Sequence, residues 1–189
     1  MTAHAAATWP LPGRPMTRAD LDELPKDGRR YELIDGVLVV SPSPSWLHQR
    51  AAAGVFDLLD ASCPGWLEVF FAPLDVDVAE DTVLQPDILV VREDRLADGG
   101  DLSGVPELAV EVLSPSTRRF DLVLKRSRFE QARCASYWVV DPELPSIVAW
   151  DLVAGRYVEA GRAEGSTELS LERPYPVVVN PARLIAKRR

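Results

Sequence analysis

Two carboxylates and a lysine in this sequence have the types and the surroundings needed for metal-dependent chemistry. Asp87 follows Pro86 at the start of an apolar run, and Glu111 lies inside the apolar segment 107–113. A carboxylate on an apolar strand is costly unless its charge is compensated. A divalent cation bound by both acids would provide that compensation, since Mg²⁺ and Ca²⁺ prefer oxygen ligands. Lys125, on the polar helix predicted to follow, is the third candidate for this site.

Two further side chains are candidates on less decisive grounds. Glu32 alternates with apolar residues in a predicted strand, and the pattern does not decide whether it faces the interior or solvent. His48 lies in the first turns of a predicted helix, where a histidine often only bonds locally. For Glu111 the structural alternative is a buried ion pair with Lys125 or Arg128. Because perturbed ionisable groups cluster at active sites, we favour the catalytic interpretation for Asp87, Glu111 and Lys125 together. For Glu32 both interpretations stay open, and for His48 the structural one is favoured.

The elements that must position these residues follow from hydrophobic periodicity. The Asp35-Gly36 pair between apolar runs predicts a β-hairpin. Ser43 before Pro44 predicts the N-cap of a helix over residues 43–61, and Thr117 is predicted to cap a second helix over residues 117–133. Strands are predicted at residues 66–71, 74–78, 87–91, 107–113, 136–141 and 146–152. The pattern indicates an α/β fold with a central mixed β-sheet flanked by α-helices, and segment 107–113 is its predicted central strand.

Length and composition are typical of one folded domain. The chain has 189 residues, of which 47% are hydrophobic, enough for a sizeable core. The Ala- and Pro-rich residues 1–16 are predicted to be a disordered arm, and residues 17–189 the domain. No apolar run approaches the length of a transmembrane helix, and no signal peptide is predicted. Cys63 and Cys134 lack metal-type spacing, which indicates a reducing, cytoplasmic compartment.

The charge distribution bears on the class of partner. The formal net charge is −8, which argues against strong non-specific binding to a polyanion. Cations nevertheless crowd the predicted second helix, where they could supply local phosphate contacts; they are Arg118, Arg119, Lys125, Arg126 and Arg128. Asp141, at the end of a later strand, is predicted to be a solvated surface acid.

The order and spacing of these segments resemble the PD-(D/E)xK nuclease superfamily, and more closely its Uma-two type of restriction-endonuclease-like proteins. The resemblance covers roughly residues 17–152. The segments that carry it are Glu32-Leu33-Ile34-Asp35-Gly36, Ser43-Pro44 with His48-Gln49, Gln85-Pro86-Asp87, Glu111-Val112-Leu113-Ser114-Pro115-Ser116-Thr117, Asp121 with Lys125, and Tyr137-Trp138-Val139-Val140-Asp141-Pro142. The usual E-x-K motif would place a lysine at position 113, which is Leu113 here. In this branch the lysine stands on the following helix, where this sequence has Lys125.

The resemblance implies a restriction-endonuclease-like fold and metal-dependent hydrolysis of phosphodiester bonds in DNA. Asp87 and Glu111 would bind Mg²⁺ (or Mn²⁺), with the backbone carbonyl of Val112 as a further ligand. Lys125 would orient the attacking water or neutralise the phosphate. Glu32 would be the family's additional acid, and His48 an auxiliary in the same cleft.

Two expectations about assembly and activity accompany the resemblance. A homodimer is expected, because cutting two strands suits a two-fold assembly. The alternative to an enzyme is a non-catalytic relative that keeps the nuclease fold as a binding or regulatory module, since a fold does not by itself fix an activity.

Overall fold

The computed structural model describes residues 13–96, 102–114, 118 and 120–187. The helices are α1 (Arg18–Asp22), α2 (Trp46–Asp60), α3 (Arg126–Gln131) and α4 (Pro181–Leu184), and a π-helical segment, Phe120–Lys125, directly precedes α3. The strands are β1 (Arg30–Ile34), β2 (Val37–Ser41), β3 (Leu67–Phe71), β4 (Val76–Ala79), β5 (Thr82–Leu84), β6 (Ile88–Arg92), β7 (Leu108–Val112), β8 (Ser136–Asp141), β9 (Ser146–Val153), β10 (Arg156–Glu164), β11 (Leu169–Leu171) and β12 (Val177–Val179). None of the described helices is long and apolar enough to cross a membrane.

A six-stranded sheet in the order β10-β9-β8-β7-β6-β3 forms the centre of the fold. Its neighbouring strands are antiparallel except for β7 and β8, which are parallel. A four-stranded sheet, β2-β1-β5-β4, and the β11-β12 pair complete the strands. The predicted α/β fold with a central mixed sheet is therefore confirmed. The predicted central strand is also confirmed, because β7 lies inside the large sheet and every residue of it is buried.

Each face of the large sheet is covered by one of the two predicted helices. On one face, Ala51, Val55 and Leu59 of α2 pack in a core with alternate residues of β6, β7 and β8. On the other face, Phe129 of α3 packs in a second core with Tyr137 of β8 and with Trp150. Burial on both sides explains why β7 reads as an almost continuous apolar run.

The predicted hairpin is confirmed. Asp35 and Gly36 both have positive φ, 52° and 75°, as the tightest two-residue turns require. They join β1 to β2 with Ile34 opposite Val37. The turn therefore fixes which residues of β1 face the interior.

The predicted start of α2 is wrong by two residues. The N-cap is Ser45, whose hydroxyl accepts a hydrogen bond from the His48 N–H at 3.2 Å, and not Ser43. The reason is that Ser45 is itself a strong N-cap type with an extended backbone, and its hydroxyl bonds the N–H of the third helical residue. The start of the second helix, including Thr117, lies outside the described residues, and the chain enters α3 through a π-helical segment instead of a continuous α-helix.

The predicted arm lies mostly outside the described residues, which begin at residue 13. Met16, at its end, is buried in a small core with Leu21, Tyr31 and Leu33. Its N–H donates to the carbonyl of Gly36 at 2.9 Å. This contact ties the start of the described chain to the hairpin turn.

Candidate active site

The candidate site lies where the chain crosses from the small sheet to the large one. Strand β5 belongs to the first sheet and β6 to the second, and residues 85–87 connect them. Arg30 and Glu32 approach this junction from β1, Asp87 lies in the connection, and Glu111 comes from β7. The site is therefore assembled from both sheets.

Pro86 determines how Asp87 meets β7. Ile88 is opposite Val110, so continuing the register brings Pro86 opposite Val112. Proline has no N–H and cannot extend the ladder, and the Val112 N–H donates to the Asp87 Oδ2 at 2.8 Å. The N–H and C=O of a strand residue point the same way. The Val112 carbonyl therefore points at Pro86, which has no N–H to donate to it.

Three buried carboxylates meet at this junction. Glu32, Asp87 and Glu111 are each at most 5% exposed. The Nζ of Lys125, which is also buried, lies 2.8 Å from Glu32 Oε1 and 3.0 Å from Glu111 Oε1. Glu32 Oε1 also accepts the N–H of Gln85 at 2.8 Å. The structure therefore brings together the four acidic and basic residues named from the sequence, and it decides the direction of Glu32, which points inward.

Arg30 is a member of the cluster that the sequence interpretation missed. Its Nη1 lies 2.8 Å from Asp87 Oδ1, its Nη2 3.9 Å from Glu111 Oε2 and its Nε 3.7 Å from Glu32 Oε2. Nε and Nη2 are buried without a hydrogen-bond partner among the described residues. The only available signal was its position two residues before Glu32, because residues i and i+2 of a strand share a face.

His48 also reaches the cluster. Its Nε2 lies 3.2 Å from Asp87 Oδ2, and within the described part of the chain its buried Nδ1 has no hydrogen-bond partner. The Ser45 cap positions the first turn of α2, and hence this side chain, against the end of β6. His48 therefore contacts the Asp87 carboxylate, whereas the sequence pattern favoured only local hydrogen bonding for this histidine.

Burial and charge act in opposite directions on the central ion pair. Burial by itself would raise the pKa of Asp87, but the hydrogen bond from His48 and the charge of Arg30 outweigh it and hold that pKa below its ordinary value. Burial by itself would lower the pKa of Arg30, but the charges of Asp87, Glu32 and Glu111 outweigh it and raise that pKa above its ordinary value. Asp87 and Arg30 are therefore both charged at neutral pH.

The cluster opens into a cleft of about 850 Å³. Arg29, Arg30, His48, Asp87, Glu111 and Lys125 are among the residues that line it. This volume is within the range of ligand-binding clefts. The charged groups therefore face a space that can admit a ligand, and Asp87, Glu111 and Lys125 are buried at its base.

Arg118, Arg126 and Arg128, the described arginines of the second helix, do not line this cleft. Arg118 forms an ion pair with Asp141, Arg128 forms one with Asp35, and the guanidinium of Arg126 lies 4.9 Å from the centre of the Trp150 ring. Arg119 lies outside the described residues. The prediction that Asp141 is a solvated surface acid is wrong: it is buried, and it also accepts the N–H groups of residues 143 and 144.

The oxygen donors at the junction suit a hard divalent ion. The Asp87 and Glu111 carboxylates and the Val112 carbonyl are the kind of ligand that Mg²⁺ prefers. Among the described residues, however, no group of three or more His, Cys, Asp and Glu side chains is arranged to hold a metal ion. Arg30 and Lys125 are interleaved with the acids and supply the counter-charge.

Comparisons with known proteins agree with this architecture. No functionally curated protein matches the chain. A crystal structure described as "a putative nuclease belonging to DUF820 from Anabaena variabilis ATCC 29413" is similar over 90% of this chain and 98% of that chain, with a TM-score of 0.70 and 16% identity, which shows a shared fold. The family model described as "Uma2: Putative restriction endonuclease" matches residues 18–182. The chain therefore belongs to the Uma2 family of restriction-endonuclease-like proteins.

Proposed function

We propose that this protein is a metal-dependent endonuclease that hydrolyses phosphodiester bonds in DNA. The observation that carries the proposal is the meeting of Asp87, Glu111 and Lys125 at the base of one open cleft, where Lys125 also contacts Glu32. These residues come from two sheets and a helix, and a purely structural ion pair would not need a cleft. Membership of a family described as restriction endonucleases supports the class of reaction.

Asp87, Glu111 and the carbonyl of Val112 would hold Mg²⁺ or Mn²⁺. When bound, the ion would supply Lewis-acid stabilisation of the charge that develops on the phosphoryl oxygens. Two features of the chain support this assignment: the oxygen donors are of the right chemical type, and the Val112 carbonyl faces Pro86, which cannot donate to it.

The cations of the cluster would act on the phosphate. Arg30 lines the cleft, and its side chain is 24% exposed. A guanidinium can bind two phosphate oxygens at once. Lys125, fixed between Glu32 and Glu111, would orient the attacking water and add positive charge beside the reacting phosphate. His48 would keep the Asp87 carboxylate oriented.

The acidic net charge is compatible with a polyanionic substrate if the cations lie where the strand is bound. Arg29, Arg30 and Lys125 all line the cleft. Phosphate contacts would then be few and local, so affinity should depend only modestly on salt concentration. This differs from proteins that bind DNA through a broad basic surface.

The test is incubation of purified protein with supercoiled plasmid and with DNA and RNA oligonucleotides, in Mg²⁺, in Mn²⁺ and in chelator. DNA cleavage is expected only with metal. Asp87→Asn, Glu111→Gln and Lys125→Met should each lower the rate by about 10²–10³, whereas Glu172→Gln, an exposed acid outside the cleft, should not. Wild type that binds DNA but never cleaves it would refute the enzyme and support the binding-module alternative.

We also propose that the active species is a homodimer, because a two-fold assembly suits the cutting of both strands where the substrate is a duplex. Light scattering on the protein alone and bound to duplex DNA would measure this. A monomer under both conditions would refute the dimer without affecting the proposed chemistry.

A further inference from the structure

A second pocket, of about 390 Å³, adjoins the candidate active site. His48 and Asp87 line both this pocket and the cleft. The other walls come from the exposed side of α2 and from the end of β3, and include Ala52, Phe56, Phe71 and Ala72. Anything that enters the pocket therefore lies beside Asp87 and His48.

An exposed aromatic ring forms one wall of this pocket. Phe71, the last residue of β3, is 64% exposed. Its ring lies 5.4 Å from that of Phe56, centre to centre, at an interplanar angle of 81°. This edge-to-face contact is a favourable geometry that fixes the orientation of the Phe71 ring. β3 is the edge strand of the large sheet, and no other described strand pairs with its free side.

The backbone ties this ring to the candidate active site. Phe71 is opposite Ile88, and the N–H of the next residue, Ala72, donates to the carbonyl of Asp87 at 3.0 Å. Neighbouring strands lie about 5 Å apart. Phe71 is therefore held about one strand spacing from the chain that carries the metal-ligand candidate Asp87, which is comparable to the reach from a phosphate to its own base.

The remaining lining selects against a phosphate and for a flat heterocycle. Asp57 gives the pocket a carboxylate and Gln49 adds an amide, whereas the oxygens of Asp87 are already engaged by Arg30, His48 and the Val112 N–H. Carboxylates repel phosphate but can accept hydrogen bonds from the amino groups of a base, and an amide can both donate and accept. The small side chains of Ala52 and Ala72 leave room beside the Phe71 ring.

We infer that this pocket is a nucleobase subsite, in which Phe71 stacks on an unpaired base next to the phosphate held in the cleft. The inference rests on the proposed function in taking a nucleic acid strand as substrate. A base inside a duplex cannot reach such a pocket without leaving the stack. The preferred substrate is therefore single-stranded DNA, or duplex DNA with an unpaired nucleotide at the cut, and stacking makes the recognition tolerant of sequence.

The test measures binding of labelled single-stranded and duplex oligonucleotides by fluorescence anisotropy, with Ca²⁺ in place of Mg²⁺ so that the strand stays intact. Loss of a base–aromatic stack is expected to raise the Kd of Phe71→Ala for single strands about 5- to 150-fold. Phe71→Trp should restore most of the affinity. Trp66→Ala is the matched control, because Trp66 is a 53% exposed aromatic beside the same strand and lines neither pocket.

A second readout reports the base itself. Single strands with 2-aminopurine at successive positions should show one position whose emission changes on binding to wild type and to Phe71→Trp, but not to Phe71→Ala. Unchanged affinity in Phe71→Ala, with no such position in wild type, would overturn the subsite and leave the nuclease proposal standing. Failure of wild type to bind or cut any oligonucleotide would instead refute the proposed function. Thermal unfolding of each variant confirms that the fold is retained.

Discussion

Replacement of Arg30 by methionine would test whether this guanidinium stands where the metal ion is proposed to act. Arg30 is the cation nearest Asp87, and it also approaches Glu32 and Glu111. Methionine keeps much of the apolar stem and removes the charge. The variant would retain Lys125 as the buried cation facing three buried carboxylates.

The cost without metal can be worked from the contacts. Removing one partner of a buried ion pair commonly costs about 3–5 kcal/mol. The Arg30 side chain is 24% exposed, and two of its three contacts are longer than 3.5 Å. We therefore expect a loss of about 2–3 kcal/mol in the free energy of unfolding in chelator, at or below the lower end of that range. For a protein of this size the melting temperature should fall by about 5–10 °C.

Metal should reverse this loss. Because Arg30 and a bound ion would compete for the Asp87 carboxylate, Arg30→Met should bind Mg²⁺ or Mn²⁺ more tightly than wild type. Bound metal stabilises the folded state in proportion to the logarithm of its concentration over Kd. Urea unfolding at increasing metal concentration, with calorimetric titration of each metal, measures both quantities without relying on activity.

Arg29→Met is the matched control. Arg29 lines the same cleft, but its side chain is 64% exposed and its ion pair with Asp27 is 3.4 Å long. Exposed pairs contribute little, so the change should stay below about 1 kcal/mol. If Arg30→Met were as stable as wild type in chelator, Arg30 would not be the counter-charge. If metal stabilised both proteins equally, the idea of competition would be wrong.

Three other predictions concern buried ionisable groups. Lys125→Met should lower the free energy of unfolding in chelator by about 3–5 kcal/mol, whereas exposed Lys26→Met should not; equal urea curves would contradict the buried pairs. The pKa of Asp87 is depressed by folding, so its stabilisation is present above the ordinary pKa of about 3.9 and is lost as pH falls toward the folded value. The stability difference between wild type and Asp87→Asn should accordingly shrink from pH 7 to pH 3, and a constant difference would count against it. Burial raises the pKa of Cys134 to about 12, so a thiol reagent at pH 8 should modify Cys63 alone until the protein is unfolded; rapid modification of both would disagree.

Much of the fold could be predicted because its signals are local. The Asp35-Gly36 turn needs two positive φ values, which this residue pair readily adopts, so the hairpin can be predicted from two adjacent residues. The central strand β7 can be predicted from one short segment, because it is apolar at nearly every position. The start of α2 was misplaced because two serines of the same capping type lie two residues apart, and their local sequence does not decide between them. The π-helical entrance to α3 has no sequence signal that we can identify.

The candidate site could be predicted only in part, because charge partners depend on tertiary pairing. Asp87 and Glu111 are recognisable as acids on apolar strands. The direction of Glu32 depends on the position of β1 between β2 and β5, which alternation alone cannot give. Arg30 was one of 21 basic residues without a distinguishing motif. The subsite at Phe71 depends on that ring being left uncovered at a sheet edge, which sequence does not reveal.

The Pro86-Asp87 pair links the backbone of the sheet to the proposed chemistry. An ordinary residue at position 86 would offer an N–H to the Val112 carbonyl and continue the ladder between β6 and β7. Proline ends the ladder at this point, and the Asp87 carboxylate bonds the Val112 N–H at 2.8 Å in its place. One residue therefore fixes the orientation of an acid, leaves a carbonyl without a ladder donor, and lets the two sheets separate where the cleft begins. Pro86 ends the hydrogen-bond ladder between β6 and β7, and this leaves the Val112 N–H free to hold the Asp87 carboxylate in place.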